Sequence, residues 1–497
     1  MINSTVIETL KSFNPAEIKS FGKFVRSPYF NESPKLTKLY DLLRKHYPLF
    51  KNRNLTKEKI HRKLFPGKKY SDDNMRKLIS ELQRLAEEYL SYSELDTKYV
   101  FEKKVYLLNS LRSRNLDKKF MQELKALHEE YSPLQNVGDD YFYRNLDLTK
   151  MELGHIIGRG KAGKYNIYNE LRDNLNERSK YLIYYSLIQI YKSAQDLLAL
   201  SQRYNFKFRD TLIYKFLNSF SSEEFMKKLS ESDSSMYPVI AIYYLNFVIY
   251  SGSDKDDSHY YFLKKLVLKH MLVFTLFERN NLMVFLENCC LEKIKEGKEN
   301  FHHEIHEVYN IILSSGLYVF RQSDSMDTGR FLRIVNNALV LKKYDWAEKF
   351  IIDYNEKLSD EVKENIIGYS MAVLNFSKSD YNKAIEYASK VKFTSFNLKF
   401  QTQVVQLKSY FELNYMDEIL YQLDSYKHTL QKDNLSPPEA KEKFYRFMIF
   451  LNKIVKFYLS DERSMPEINA IIKELKESGD IYEREWIDEK LRLILIK

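Results

Sequence analysis

Glycine, proline and cysteine are all scarce in this chain of 497 residues, which holds 13, 10 and 2 of them. All-β and doubly wound α/β folds need many tight turns and use more glycine and proline. Their scarcity therefore favours long helices joined by short connections. The only cysteines, Cys289 and Cys290, are adjacent. Two cysteines cannot hold a secreted scaffold together, so a reducing, cytoplasmic location is expected.

Long hydrophobic runs are also missing. The best membrane candidate, "MYPVIAIYYLNFVIY" at residues 236–250, carries Pro238 and Asn246 and is shorter than the roughly 20 residues that a spanning helix needs. We interpret it as a buried helix and expect no membrane association. The start of the chain, "MINSTVIETLKSF", has neither the basic residues nor the apolar stretch of a signal peptide.

Positive charge is concentrated at the front of the chain. Residues 1–120 hold 26 Lys and Arg against 14 Asp and Glu, whereas the remaining residues hold 52 against 54. The net charge of +10 therefore comes from the first quarter of the sequence. A basic segment on a neutral body suggests an acidic partner for that segment, either nucleic acid or an acidic protein.

Helix signals follow one another along the chain. Asn14 is placed to cap a helix, with Pro15 at its first position and Glu17 three residues after the cap. Ser33, Thr56 and Ser71 are predicted caps of the next helices. From about residue 100, helical patterns alternate with short polar breaks, and no run has the period of two that strands require.

An internal repeat is clearest near residues 330–430. "VNNALVLKKYDWAEKFIIDY" is followed by "YSMAVLNFSKSDYNKAIEYASK" and "QLKSYFELNYMDEILYQLDSY". Tyr344, Tyr381 and Tyr415 take the same place in each, 37 and 34 residues apart, and Ala347 and Ala384 follow the first two by three residues. This stretch resembles tetratricopeptide repeats, whose period is about 34 residues and whose paired helices pack through a small residue at that position.

The resemblance is incomplete in the third repeat, where Glu418 stands in the place of the small residue, while Ala372 suits the first helix of the middle repeat. It implies an all-α fold: an α-solenoid of tetratricopeptide-like helix pairs with an N-terminal helical domain. We expect four regions: a basic helical domain at 1–95, divergent repeats at 96–330, tetratricopeptide-like repeats at 331–430 and capping helices at 431–497. "RSPYFN" and "LFPGKKYSDDN" near the front also resemble an uncharacterised family of bacterial helical proteins, which implies no activity.

The segment "GRGKAGKY" at residues 158–165 spells two phosphate-loop patterns, G-x-G-x-x-G and G-x-x-x-x-G-K. A phosphate loop needs a strand before the glycines, but the preceding residues have a helical pattern. Tyr165 stands where the second pattern has the Ser or Thr that binds Mg²⁺. We interpret the segment as a loop between helices that binds no nucleotide, and no cofactor is expected.

Two further pairs of residues are candidates for chemistry. His302 and His306 share a helix face, as zinc ligands do, but the sequence offers no third ligand, so we interpret them as part of a solvated face. Cys289 and Cys290 lie in an apolar context and are expected to pack as small hydrophobic residues.

The basic front resembles the helix–turn–helix core of winged-helix regulators over "LTKEKIHRKLFPGKKYSDDNMRKLISELQRL". The residues that follow are helical in pattern, so the wing of that family is missing, and acidic residues such as Glu81 and Glu87 share the outer face. The resemblance implies contacts to nucleic acid, or to an acidic partner, by Lys57, Lys59, Arg62, Lys63, Lys68, Lys69, Lys77 and Arg84.

The predicted function is a non-enzymatic scaffold or adaptor for protein–protein interaction, with a protein or peptide partner on the concave repeat surface. The alternative is a nucleic-acid-binding transcriptional regulator whose basic helix–turn–helix is joined to a repeat domain that senses or recruits a partner. For residues 1–100 we expect weak nucleic-acid binding. No catalytic residues or metal ligands can be assembled from the sequence.

Overall fold

Helices make up almost all of the structure, a computed structural model that describes residues 5–50, 55–161, 167–203, 206–252, 257–319, 325–392, 396–432, 438–460 and 464–496. In these ranges the chain forms 24 α-helices, three single-turn 3₁₀ helices and two isolated β-bridges, with no strand. The all-α prediction is confirmed.

The α-helices are, in chain order, α1 (Thr5–Ser12), α2 (Pro15–Arg26), α3 (Pro34–Arg44), α4 (Lys57–Leu64), α5 (Asp72–Thr97), α6 (Val100–Ser113), α7 (Asp117–Tyr131), α8 (Tyr141–Lys161), α9 (Tyr168–Arg203), α10 (Leu212–Ser219), α11 (Ser222–Ser232), α12 (Tyr237–Tyr250), α13 (Ser258–His270), α14 (Leu276–Lys295), α15 (Phe301–Ser314), α16 (Thr328–Val340), α17 (Tyr344–Tyr354), α18 (Asp360–Ser377), α19 (Tyr381–Ser389), α20 (Phe396–Glu412), α21 (Met416–Lys432), α22 (Pro438–Leu459), α23 (Met465–Glu477) and α24 (Arg484–Ile496).

The predicted caps begin the first helices with one exception. Asn14 Oδ1 accepts from the backbone N–H groups of Ala16 and Glu17, and Glu17 Oε2 accepts from the backbone N–H of Asn14 at 2.7 Å. Thr56 and Ser71 also accept backbone hydrogen bonds. Ser33 occupies the predicted N-cap position before Pro34, but its side chain makes no capping bond.

The chain divides into two compact units. Unit 1 comprises Met1–Pro133 and Tyr141–Ile183, and unit 2 comprises Leu134–Asp140 and Tyr184–Lys497. In unit 1, helix α5 packs on each of α1 to α4. It does so through an apolar stripe, of which Met75, Leu82 and Leu85 are fully buried. Burying this stripe is the main source of stability for the N-terminal helices.

One turn type joins four helix pairs. A residue in the left-handed region ends the first helix: Asn115 (φ 57°), Lys342 (φ 55°), Ser379 (φ 61°) and Asn414 (φ 63°). The residue after it donates its N–H to the carbonyl five positions back, as Lys343 does to Ala338 at 2.8 Å. This bond satisfies a free carbonyl at the helix end. In all four pairs the next helix begins two residues after the left-handed residue.

This turn corrects the register of the third repeat. Tyr344 and Tyr381 begin α17 and α19 as predicted, but Tyr415 directly follows the left-handed residue and α21 begins at Met416. The position equivalent to the alanines is therefore Ile419, not Glu418. Ile419 is fully buried, as are Ala347 and Ala384, so all three positions are inter-helix contacts.

Packing between helices of unit 2 is mostly local along the chain. From α16 to α22 each helix contacts the next, and α18 also contacts α16 and α20. Helices α18 and α19 approach closely at Gly368, where a Cβ atom would lie 3.5 Å from the backbone oxygen of Tyr387 on α19 and 3.1 Å from Val391 Cγ2 just beyond that helix. Alternate helices thus lie side by side, which gives them a shared surface.

A buried ion pair joins α14 to α16. Arg330 Nε donates to Glu287 Oε2 at 3.1 Å, and Arg333 Nε donates to Glu287 Oε1 at 3.0 Å. Arg330 and Glu287 are each 1% exposed. Both oxygens of the carboxylate are therefore occupied, which offsets the desolvation of two charges.

We expect Ala384→Leu to destabilise the protein by about 1–3 kcal/mol, because the larger side chain overpacks a fully buried contact. The control is Asn382→Leu on the exposed side of the same helix. Thermal and urea melts of both variants are the measurement. Equal melting curves for Ala384→Leu and the parent chain would contradict the packing described.

Candidate functional site

The repeat region carries a groove of about 590 Å³ in unit 2. Three alternate helices (α16, α18 and α20), the first residues of α17 and α19, and the stretch from Tyr482 into α24 line it. We call this the repeat groove. It lies where the side-by-side packing of alternate helices leaves a shared surface.

Aromatic side chains dominate the apolar lining of the repeat groove. They include the two residues that start helices after the repeated turn, and the full set is Tyr344, Tyr369, Phe376, Tyr381, Tyr482 and Trp486. Burial, with Glu483 nearby, raises the pKa of Tyr482 to about 12. Its hydroxyl therefore stays protonated at neutral pH and can donate a hydrogen bond.

Trp486 is fixed in place by polar contacts. Its indole N–H donates to Glu412 Oε1 at 3.1 Å, and the ring is 8% exposed. Lys490 Nζ pairs with the same carboxylate at 2.7 Å and lies 5.6 Å from the ring centroid. Lys408 Nζ lies 5.7 Å from the same centroid. These contacts hold the buried ring in one orientation at the wall of the groove.

The charges of the repeat groove are largely matched to one another. Lys408 pairs with Glu483 at 2.7 Å, and Lys490 pairs with Glu489 at 3.0 Å as well as with Glu412. Burial alone would lower the pKa of Lys490, but its two carboxylate partners hold it above the ordinary value. The groove therefore offers aromatic surface and paired charges rather than a field of one sign.

The predicted basic residues lie on α4, on α5 and in the turn between them. Lys57 pairs with Asp72 at 3.0 Å, and Arg84 pairs with Glu88 at 2.6 Å. Of the eight predicted residues, five are exposed and have no ion-pair partner in the described part of the chain: Arg62, Lys63, Lys68, Lys69 and Lys77. Lys59 is exposed too.

The structure differs from a winged helix after α5, at the point where the sequence pattern also differs. The segment after α5 forms helix α6, which packs on α5. Lys77 and Arg84 lie seven residues apart on the exposed face of α5, with Glu87 on the same face. The structure thus brings unpaired cations together around one turn, beside a helix face of mixed charge.

The glycine segment lies only partly within the described residues. Gly158 belongs to the C-terminal end of α8, whereas Gly163, Lys164 and Tyr165 fall outside them. Free carbonyl groups at a helix C-terminus repel phosphate, which binds at N-termini. The helical approach to Gly158 predicted from the sequence is confirmed.

The two candidate histidines occupy different environments on α15. His302 Nδ1 lies 2.9 Å from Asn337 Oδ1. His306 is 5% exposed, packs edge-on against Trp346, and has its pKa lowered to about 4 by burial and by Lys343. The interpretation of this face as solvated is wrong, because tertiary contacts bury it.

The cysteines are packed in the core of unit 2 on α14, and both are fully buried. Cys290 Sγ donates to the Tyr260 hydroxyl at 3.1 Å, and Tyr260 in turn donates to Glu304 at 3.2 Å. Burial raises the pKa of Cys290 to about 12. The expectation that these residues pack as small hydrophobic side chains is confirmed. A thiol of this kind has almost no thiolate at neutral pH.

The apolar segment at 236–250 is confirmed as a buried helix, α12, in which Ile240 and Ile242 are fully buried. Among the helices in the described ranges, none combines the length and the apolar character required to cross a bilayer.

We expect neither thiol to react with 5,5′-dithiobis(2-nitrobenzoate) in the folded protein, and both to react in guanidinium chloride. Reaction requires access and a thiolate, and the fold denies both to Cys290. Absorbance at neutral pH follows the reaction. A thiol that reacts rapidly without denaturant would show that α14 is more open than described.

Comparison of the chain with known protein families, with curated proteins and with solved structures gave no match. Function is therefore inferred from the contacts and charges of the repeat groove and the basic surface.

Proposed function

We propose that the protein is a non-enzymatic scaffold whose repeat groove binds a short segment of a partner protein. Under this proposal the helices of residues 331–430 are tetratricopeptide-like pairs of an α-solenoid, and the partner segment lies across the alternate helices. The observation that carries the proposal is the groove's row of aromatic side chains, two of which begin helices after the repeated turn.

The groove's size and chemistry support a peptide as its occupant. A volume of about 590 Å³ accommodates a few side chains. Aromatic residues supply much of the binding energy at protein interfaces, because they bury large area at little loss of conformational entropy. The amide of Gln401 and the tyrosine hydroxyls would hold the peptide backbone. A cytoplasmic location is part of this proposal, since the two thiols are free.

We expect Val340→Glu to abolish partner capture. Val340 lines the groove and is 55% exposed, so the fold tolerates the change while a charge enters the apolar lining. The matched control is Ile352→Glu, which alters an equally exposed aliphatic residue (60%) on α17 outside the groove. The measurement is affinity capture from extract of the source cells with mass spectrometry, before and after nuclease.

A partner that survives nuclease, is retained by Ile352→Glu and is lost with Val340→Glu supports the groove. Retention by Val340→Glu, or equal loss with both variants, would place the binding surface elsewhere.

The second candidate function, a nucleic-acid-binding regulator, is favoured by the unpaired exposed cations around the α4–α5 turn. Cations without a protein partner remain available to phosphate. The mixed charge of the α5 face and the absence of a hairpin after α5 favour affinity without sequence preference, on the order of 10⁻⁴–10⁻⁶ M at physiological salt.

For this function we expect the Lys63→Gln and Lys77→Gln double variant to weaken duplex DNA binding on every sequence and to reduce the salt slope by about two. The double variant Lys11→Gln and Lys19→Gln removes the same charge from exposed positions on α1 and α2. Fluorescence anisotropy of the full chain across a salt series measures both. Absence of binding at low salt, or equal slopes for the two variants, would end the regulator interpretation.

A further inference from the structure

A second cavity lies in unit 1, and none of its lining residues belongs to the two surfaces described above. It has a volume of about 620 Å³ and is lined by α7, by α8 and by the first part of α9. Residues three or four apart on α8 and α9 face it, among them Glu152, His155 and Arg159 on α8 and Asn174 and Glu177 on α9. Polar side chains outnumber apolar ones in its wall.

Hydrogen bonds fix which nitrogen of His128 carries a proton. Both amide hydrogens of Asn145 go to backbone carbonyls, so its Oδ1 must accept the Ser132 hydroxyl hydrogen at 2.7 Å. Ser132 Oγ then accepts from His128 Nδ1 at 3.1 Å. Burial lowers the pKa of His128, and the neutral ring is left with an unprotonated Nε2. Within the described residues, this nitrogen has no hydrogen-bond partner.

Asn174 presents a second unused acceptor. Its amide nitrogen donates to Glu152 Oε2 at 2.8 Å, and this bond fixes the orientation because a carboxylate only accepts. The amide oxygen has no partner in the described part of the chain, although the residue is 7% exposed. Buried acceptors without donors are costly and uncommon. Two of them beside one cavity indicate a ligand that brings N–H groups.

Negative charge surrounds these acceptors. The cavity wall holds the carboxylates of Glu152, Glu170, Asp173 and Glu177 against one guanidinium, that of Arg159. Arg159 pairs with Glu170, and two cations outside the wall pair with the next carboxylates, Arg172 with Asp173 at 2.8 Å and Lys180 with Glu177 at 2.6 Å. Among the described residues, Glu152 has no cationic partner, and it accepts a hydrogen bond from the Asn174 amide. Glu152 is therefore the carboxylate of this wall that is left without a cation.

We propose that this cavity binds a small alkylammonium compound with at least two N–H donors, of the diamine or polyamine class. One ammonium group would pair with Glu152, and its remaining hydrogens would supply the donors that Asn174 Oδ1 and His128 Nε2 lack. A second ammonium group would join the carboxylates of Asp173 and Glu177, whose present pairs with Arg172 and Lys180 are exposed to solvent. This proposal is independent of the repeat groove, which lies in unit 2.

Isothermal titration calorimetry of the full chain with putrescine, spermidine and the bis(trimethylammonium) analogue of putrescine at physiological salt is the test. The analogue carries the same two charges as putrescine but has no N–H group, so we expect binding of both amines and none of the quaternary compound. Equal binding of all three would reveal general charge attraction and overturn the proposal. So would an absence of amine binding at millimolar concentrations.

Two variants locate the site. Glu152→Gln keeps the shape of the side chain and removes its charge, so we expect the dissociation constant of the amines to rise about tenfold or more. Glu129→Gln is the matched control, since that carboxylate is exposed on α7 and does not line the cavity. Equal effects of the two would refute the assignment. A second pair of variants tests the site should Glu152→Gln unfold. Met121 lines the cavity and is 42% exposed, so Met121→Trp narrows the cavity and should weaken amine binding, whereas the control Met121→Ala should not.

Discussion

The free carbonyl groups at the end of each helix set the constraint on which the repeat region depends. A left-handed residue lets the next N–H satisfy one of them, and the chain then starts a new helix at once. At Lys342 and Ser379 this conformation is unfavourable by about 1–2 kcal/mol for a residue with a Cβ, and the recovered hydrogen bond offsets it. Consecutive helices are thereby forced to pack on each other, and alternate helices come side by side.

The repeat groove follows from that arrangement. Because the turn ends immediately before Tyr344 and Tyr381, it fixes both residues at the groove wall. Helix α24 completes the wall with Trp486, whose indole and neighbouring Lys490 share the carboxylate of Glu412. Turn chemistry, helix packing and a C-terminal helix thus contribute to one surface, and its rigidity comes from contacts that exist before any partner binds.

Local signals in the sequence predicted several local interactions, although the capping bond expected of Ser33 does not form. The cap at Asn14 involves four successive residues, so its residue types predict it. The sequence pattern placed the third repeat one residue too early, because it aligned Tyr415 with Tyr344 and Tyr381. The left-handed conformation of Asn414 determines where the turn lies. The sequence pattern did not predict the equivalent turn at Asn115, because Phe120 stands where the repeats have alanine. The surroundings of Trp486 and His306 could not be predicted, because residues distant in sequence form them.

The buried pair of Arg330 and Glu287 has a consequence for the history of the chain. Losing Glu287 leaves Arg330 buried without a carboxylate, and losing Arg330 leaves Glu287 with the partly exposed Arg333 alone. Breaking a buried pair destabilises a protein by about 3–5 kcal/mol, while replacing both partners with apolar residues is often neutral. A single substitution at either position is therefore destabilising, and a neutral apolar pair requires two substitutions. Descendants of this sequence should keep both residues or change them together, so α14 and α16 evolve as a linked pair.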